Sequence, residues 1–250
     1  MNYKLSTTTT SNNDSDQIQN DIVNYDGELL LNNNNNNRYK SVIDALVWPI
    51  VIRPLLYKIQ KYNQNAAIIL LHSLAKAEHC QPGFLQQFCQ MILSMNNIDS
   101  INMIESLLRL QANIPEADEQ RCRRTEQPFQ NLNHCTIQLK RIVAQIPNVI
   151  YNRQLFLDTI RKIAAAIKEL LDCIYQINSN GFIVNIKDRR SLDNCRREFI
   201  RDSKQFSQSL KDYIKNGDEK PVLQCAAQLI YATNSIQKTI KICCDFYGKN

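Results

Sequence analysis

The sequence predicts an all-α protein made of two helical modules, and three observations predict it. Five glycines and seven prolines in 250 residues leave too few turn-formers for a sandwich, a barrel or a dinucleotide-binding sheet. Beyond residue 40 the apolar residues recur at helical spacing. Finally, Pro82–Gly83, Pro115, Pro128, Pro147, the run Asn178 to Gly181, Asn216–Gly217 and Pro221 cut this stretch into helix-length pieces. A chain of this length holds one large or two small helical domains, each with a core of its own.

Taken in order, residues 1–40 carry the threonine run Thr7 to Thr10 and the asparagine tract Asn32 to Asn37. Such a stretch has too little apolar surface to offset the entropy of ordering, and is predicted to be a disordered tail. Ser41, three residues ahead of Asp44 and an apolar run, is the predicted N-cap of a first helix over 41–62, bent or broken at Pro49 or Pro54. Short helices follow over 65–78, 83–95 and 99–112. The helix over 65–78 is apolar over most of its circumference, from Ala66 through Leu71 to Ala77, where a surface helix shows one stripe. It is therefore expected to be covered on more than one side, partly by another chain. The module spans 41–114, a polar, Arg-rich linker occupies 115–127, and Pro128 opens the second module, 128–247. There the punctuation predicts a four-helix bundle over 129–146, 148–178, 187–215 and 221–244, with Pro221 in the first turn of the last helix.

Composition excludes several classes. Nine cysteines scattered from Cys80 to Cys244 without CxxC spacing read as reduced, mostly core residues of a cytosolic protein rather than a disulfide framework. No basic-then-apolar leader opens the chain, and the longest apolar run, Ala45 to Ile52, contains Pro49 and ends at Arg53, so no membrane span is expected. The metallopeptidase HExxH, the nucleophile elbow, the Walker loop and the dinucleotide-binding glycines are all missing. Among three histidines, His72 lies in the apolar helix as a core or interface residue, and His79 beside Cys80 lacks ligand spacing. The expectation is a non-enzymatic protein with no catalytic residues, no metal site and no cofactor.

Charge is unevenly placed. Residues 1–127 hold 11 Lys and Arg against 13 Asp and Glu, and residues 128–250 hold 19 against 11. The second half thus favours acidic partners such as peptide carboxylates or anionic lipid head groups. Nucleic acid is not expected, because aromatic residues do not interleave with the basic ones and no nucleic-acid-binding motif is present. Arg161, Ala164 and Lys168 recur at i, i+3 and i+7 on one helix, as do Lys204, Ser207 and Lys211 on the next. Each trio shares a helix face with a small residue between two cations. If the helices are neighbours, they frame a shallow groove rimmed by positive charge, which suits an acidic amphipathic helix or a phosphoinositide head group. The alternative is two unrelated solvated faces.

The run IPNVIYNRQLFLDTIRKIAAAIKELLDCI, residues 146–174, resembles the signature stretch of the programmed cell death protein 10 family, the cerebral cavernous malformation 3 proteins. Further matches are AKAEHCQPGFLQQFCQMIL at 75–93, ESLLRL at 105–110, PFQNLN at 128–133 and REFIRDSKQFSQSLKDYIKNG at 197–217, all in one order. The resemblance implies an N-terminal dimerisation domain followed by a bundle similar to the focal adhesion targeting domain. It implies homodimers, or heterodimers with the tails of germinal centre kinases of the third subgroup, with contacts on Leu70, Ser73, Ile92 and Leu93. It further implies LD-type adaptor peptides in a groove of Arg161, Ala164, Lys168, Lys204, Ser207 and Lys211, a striatin-type phosphatase and kinase assembly, and phosphoinositide binding. A cytoplasmic location, with peripheral recruitment to the Golgi or plasma membrane, goes with these. The chain departs from the family at Ser73, where alanine is usual, at Arg161, where lysine is usual, in its tail and around 178–188.

Overall fold

The structure, a computed structural model, describes residues 42–96, 98, 102–115, 119, 121–183 and 185–245, and every regular element among them is helical. The tail over 1–40 and the cap at Ser41 lie outside these residues. Helix α1 (Val42–Val47) continues through a π turn (Trp48–Ile52) into α2 (Arg53–Tyr62). Neither proline breaks this path. The backbone stays in right-handed helical geometry through Val47 and Ile52, and the path accommodates the prolines through the π turn, in which the Arg53 N–H reaches back five residues to the Trp48 carbonyl.

Asn63 turns the chain and caps α3 (Gln64–Cys80), its side chain accepting from the Ala66 N–H at 3.0 Å. Helix α4 (Phe84–Met95) starts after Gly83, whose φ of +91° suits glycine. Helix α5 (Met103–Ala112) begins later than the sequence predicts, because Asn102 takes the capping role and accepts from the Glu105 N–H at 3.3 Å.

The second module comprises α6 (Gln127–Val143), a one-turn α7 (Ile146–Val149), α8 (Arg153–Ser179), α9 (Ile186–Asn216) and α10 (Lys220–Asp245). Pro147 does not itself separate two long helices. It sits in the opening turn of α7, and the break comes at Asn152, which caps α8 through the Leu155 N–H at 3.1 Å. Helices α6 and α8 form one close pair, α9 and α10 another, and α10 also packs on α6.

Helix α10 is central. Leu223, Ala226, Ala227, Ile230, Ala232, Thr233, Ile236 and Lys238 are all buried, positions that span about two thirds of its circumference. One side meets the bundle; the other receives α1 and α5. Consequently the buried apolar residues of both modules form one continuous cluster, from Leu46 and Trp48 to Phe206 and Ile240. Helix α3 packs on α2 and α4. The segment between the modules is anchored too: Ile114, Glu119 and Cys122 are buried, and the Cys122 N–H donates to the Asn133 side chain at 3.0 Å. A polar composition conceals these anchors.

Candidate functional site

Two surfaces stand out. The first lies on α3 and α4. On α3 the residues Ala67, Leu71, Ala75 and Glu78 face inward. Ile69, Leu70 and Ser73 lie outside that stripe and are exposed, with Leu70 40% accessible. His72, read from sequence as a core or interface residue, is exposed as well, because it falls a quarter-turn off the buried stripe. On α4 the apolar face runs through Leu85, Phe88, Cys89 and Ile92 at i, i+3, i+4 and i+7. Leu85 is buried, yet Ile92, two turns along the same stripe, is 43% accessible. Met91 and Met95 beside it are more exposed still, and Leu93 is half-buried. The apolar face of α4 thus outruns what this chain covers. Ile69, Met91 and Met95 were not singled out from sequence; continuing the α4 stripe past Leu85 would have pointed to the two methionines.

One buried carboxylate ties the end of α3 to the start of α4. Glu78, near the end of α3, accepts from the Gly83 N–H and the Leu85 N–H, both at 3.0 Å. It serves as an N-cap supplied by the preceding helix.

The second surface lies along the seam of α8 and α9. These helices are antiparallel neighbours: Phe156 at the start of α8 meets Tyr213 near the end of α9, ring centroids 5.4 Å apart and edge-on. The Tyr213 hydroxyl also donates to the Ile150 carbonyl at 3.1 Å. Elsewhere the two helices touch only sparsely.

Helical phase decides which residues face the seam. Cys173 of α8 rests against Cys135 of α6, and Asp202 of α9 accepts from the Gln228 side chain of α10 at 3.0 Å. At about 100° per residue, Ala164 lies on the side of α8 opposite Cys173, and Ser207 well round α9 from Asp202. Arg161 and Lys168 on α8, and Lys204 and Lys211 on α9, flank them, and all six side chains are exposed. Arg161 pairs with Asp158 at 2.9 Å, and Ser207 donates to the Ser203 carbonyl at 2.9 Å. Lys168, Lys204 and Lys211 make no ion pair with the described residues.

The seam also presents Leu157 and Ile214, both exposed. Each lies seven residues beyond the small residue of its helix, Ala164 or Ser207, at the Phe156–Tyr213 end. Extending the two stripes by one heptad would have found them. The arrangement is a seam with small residues at mid-length, exposed apolar side chains at one end and exposed lysines on both helices. Among the described residues there is no group of three side chains placed to hold a metal ion, and no helix long and apolar enough to cross a membrane.

Comparison with known proteins matches both modules. A family model described as programmed cell death protein 10, dimerisation domain, matches residues 40–99, which include all of the α3/α4 surface. A second, programmed cell death protein 10, C-terminal, matches residues 101–193, which include Arg161, Ala164 and Lys168 but end before Lys204. The programmed cell death protein 10 homolog of Caenorhabditis elegans is 30% identical over 210 residues, covering 79% of this chain and 94% of that protein.

Proposed function

We propose, because this chain belongs to the programmed cell death protein 10 family, that it works as a non-enzymatic scaffold whose two surfaces hold different partners at once. Its dimerisation domain uses the α3/α4 surface, with Leu70, Ser73, Ile92 and Leu93 at the contact, to pair with a second copy or with the tail of a germinal centre kinase of the third subgroup. The observation that carries this reading is the stripe of α4, buried at Leu85 and exposed at Ile92. Covering a fully exposed apolar side chain contributes about 1.5–3 kcal/mol, and the exposed ones on α3 and α4, 40% to 76% accessible, contribute in proportion. Two helices presenting five such residues have much to gain from a partner.

The seam of α8 and α9 then docks an acidic LD-type helical peptide, its leucines against Leu157, Ala164 and Ile214 and its carboxylates on Lys168, Lys204 and Lys211. A striatin-type assembly is a further partner of this scaffold. The experiment is a two-partner capture: immobilised kinase tail should retain the chain, and the retained chain should still bind labelled LD peptide. Mutually exclusive binding would overturn the scaffold reading.

The three lysines without ion pairs favour a second use of the same seam, on phosphoinositide head groups. It implies a cytoplasmic protein recruited to the surface of the Golgi or plasma membrane. Phosphoinositide vesicles that compete with the LD peptide would support it; simultaneous binding would separate the two sites.

A further inference from the structure

On the flank of α8 that faces away from the seam, two cysteines 38 residues apart in sequence come together. Cys173 Sγ lies 3.5 Å from Cys135 Sγ on α6, and both residues are nearly buried, at 7% and 8% accessible. They sit at the base of a surface cleft of about 340 Å³, whose other walls are Asn131, His134, Glu169 and Asp172. The adaptor function uses neither sulfur, and neither belongs to the α3/α4 surface or the α8/α9 seam.

We propose that Cys135 and Cys173 form a reversible oxidation site, which a hydroperoxide small enough to enter the cleft closes into a disulfide stapling α6 to α8. A disulfide needs the sulfurs about 2.05 Å apart, so from 3.5 Å they must approach by about 1.5 Å. The chemistry balances with hydrogen peroxide as oxidant. One of the two sulfurs, as thiolate, attacks one peroxide oxygen, the O–O bond breaks, hydroxide leaves as water after taking a proton, and a sulfenic acid remains. The other cysteine then gives up its proton, its sulfur attacks the oxidised Sγ, and the S–O bond breaks to release a second water. In sum, two thiols and one peroxide give one disulfide and two waters.

Hydrogen bonding between the sulfurs, in which either can be the donor, lowers the pKa of the one that accepts, while burial and the nearby carboxylates Glu169 and Asp172 act to raise it. Either sulfur can therefore attack while the other resolves.

The test exploits the distribution of Lys and Arg. Trypsin releases residues 125–140 with Cys135 as their only cysteine, and residues 169–187 with Cys173 as theirs. After brief exposure of the folded full chain to hydrogen peroxide and alkylation of remaining thiols, mass spectrometry should find these two peptides joined, two hydrogens lighter than their sum. Dithiothreitol should separate them, and the link should be lost when oxidation is done in urea. The oxidised protein should melt several degrees higher, because the bond closes a long loop in the unfolded chain. Dimedone should capture a sulfenic acid on Cys173 in Cys135→Ser, on Cys135 in Cys173→Ser, or on both, and capture in neither variant would overturn the proposal. Peroxide that modifies exposed Cys80 while leaving 125–140 and 169–187 unlinked in folded protein would overturn the proposal. Equal formation of the link in urea would do the same.

Discussion

Glu119, in the segment that joins the two modules, sets its carboxylate against the ammonium of Lys140 on α6, and both side chains are 2% exposed. Asn234 and Gln237 of α10 accept from the same ammonium at 3.1 and 3.0 Å, and Gln111 of α5 donates to Glu119 at 2.8 Å. Burial pushes the Lys140 ammonium below the usual lysine range, while the charge of Glu119 pulls it back. The network ties three helices and the connecting segment at one point.

Lys140→Ala therefore leaves a buried carboxylate without its counter-charge, and the expected cost is about 3–5 kcal/mol. Replacing both partners, Glu119→Leu with Lys140→Met, should recover roughly half of that or more, since no orphan charge remains. Urea denaturation of the two variants measures the difference. A loss below about 1 kcal/mol for Lys140→Ala would mean the interior tolerates the lone carboxylate, contrary to the cost expected of one.

Glu78→Ala removes the acceptor for two backbone N–H groups at the start of α4, with an expected cost of about 1–3 kcal/mol. Because Glu78 ties the start of α4 to the end of α3, the two helices that carry Leu70 and Ile92, self-association should weaken alongside stability. Thermal melting and sedimentation of the same samples read both effects. A variant that is less stable yet dimerises unchanged would show that the contact does not depend on this tie between α3 and α4.

Leu70→Asp combined with Ile92→Asp should yield a monomer. Both positions are exposed within one chain, so folding should change by less than about 1 kcal/mol. A carboxylate pressed into an apolar contact costs several times that. Sedimentation at micromolar concentration decides, and a persistent dimer would move the contact elsewhere.

Lys168→Glu with Lys211→Glu reverses charge on both helices of the seam and should weaken an acidic, leucine-bearing helical peptide by about 1–3 kcal/mol. Binding to phosphoinositide vesicles should weaken in parallel, while dimerisation and kinase-tail binding persist. The bundle should stay folded, both lysines being exposed. Peptide titration with circular dichroism as folding control is the measurement; unaltered affinity in folded protein would return these lysines to ordinary surface charge.

Much of this protein was determined locally. Helical period and the breakers at Pro82–Gly83, Pro128 and Asn216–Gly217 set the number and type of the long helices, since those preferences act over a few residues. The grouping of Arg161, Ala164 and Lys168 on one face follows from spacing alone. Only tertiary structure decided what those faces meet. Leu85 and Ile92 share a stripe and an apolar character, and one is buried while the other is open, because α1 and α3 cover only part of α4. Pro147 was read as the boundary between two long helices, but the cap falls at Asn152, since proline is compatible with an opening turn. Glu119 with Lys140 and Cys135 with Cys173 lie 21 and 38 residues apart. No local pattern marks either pair: a buried charge or a paired sulfur is created by the neighbour that packing brings to it, and that neighbour is chosen by the whole fold.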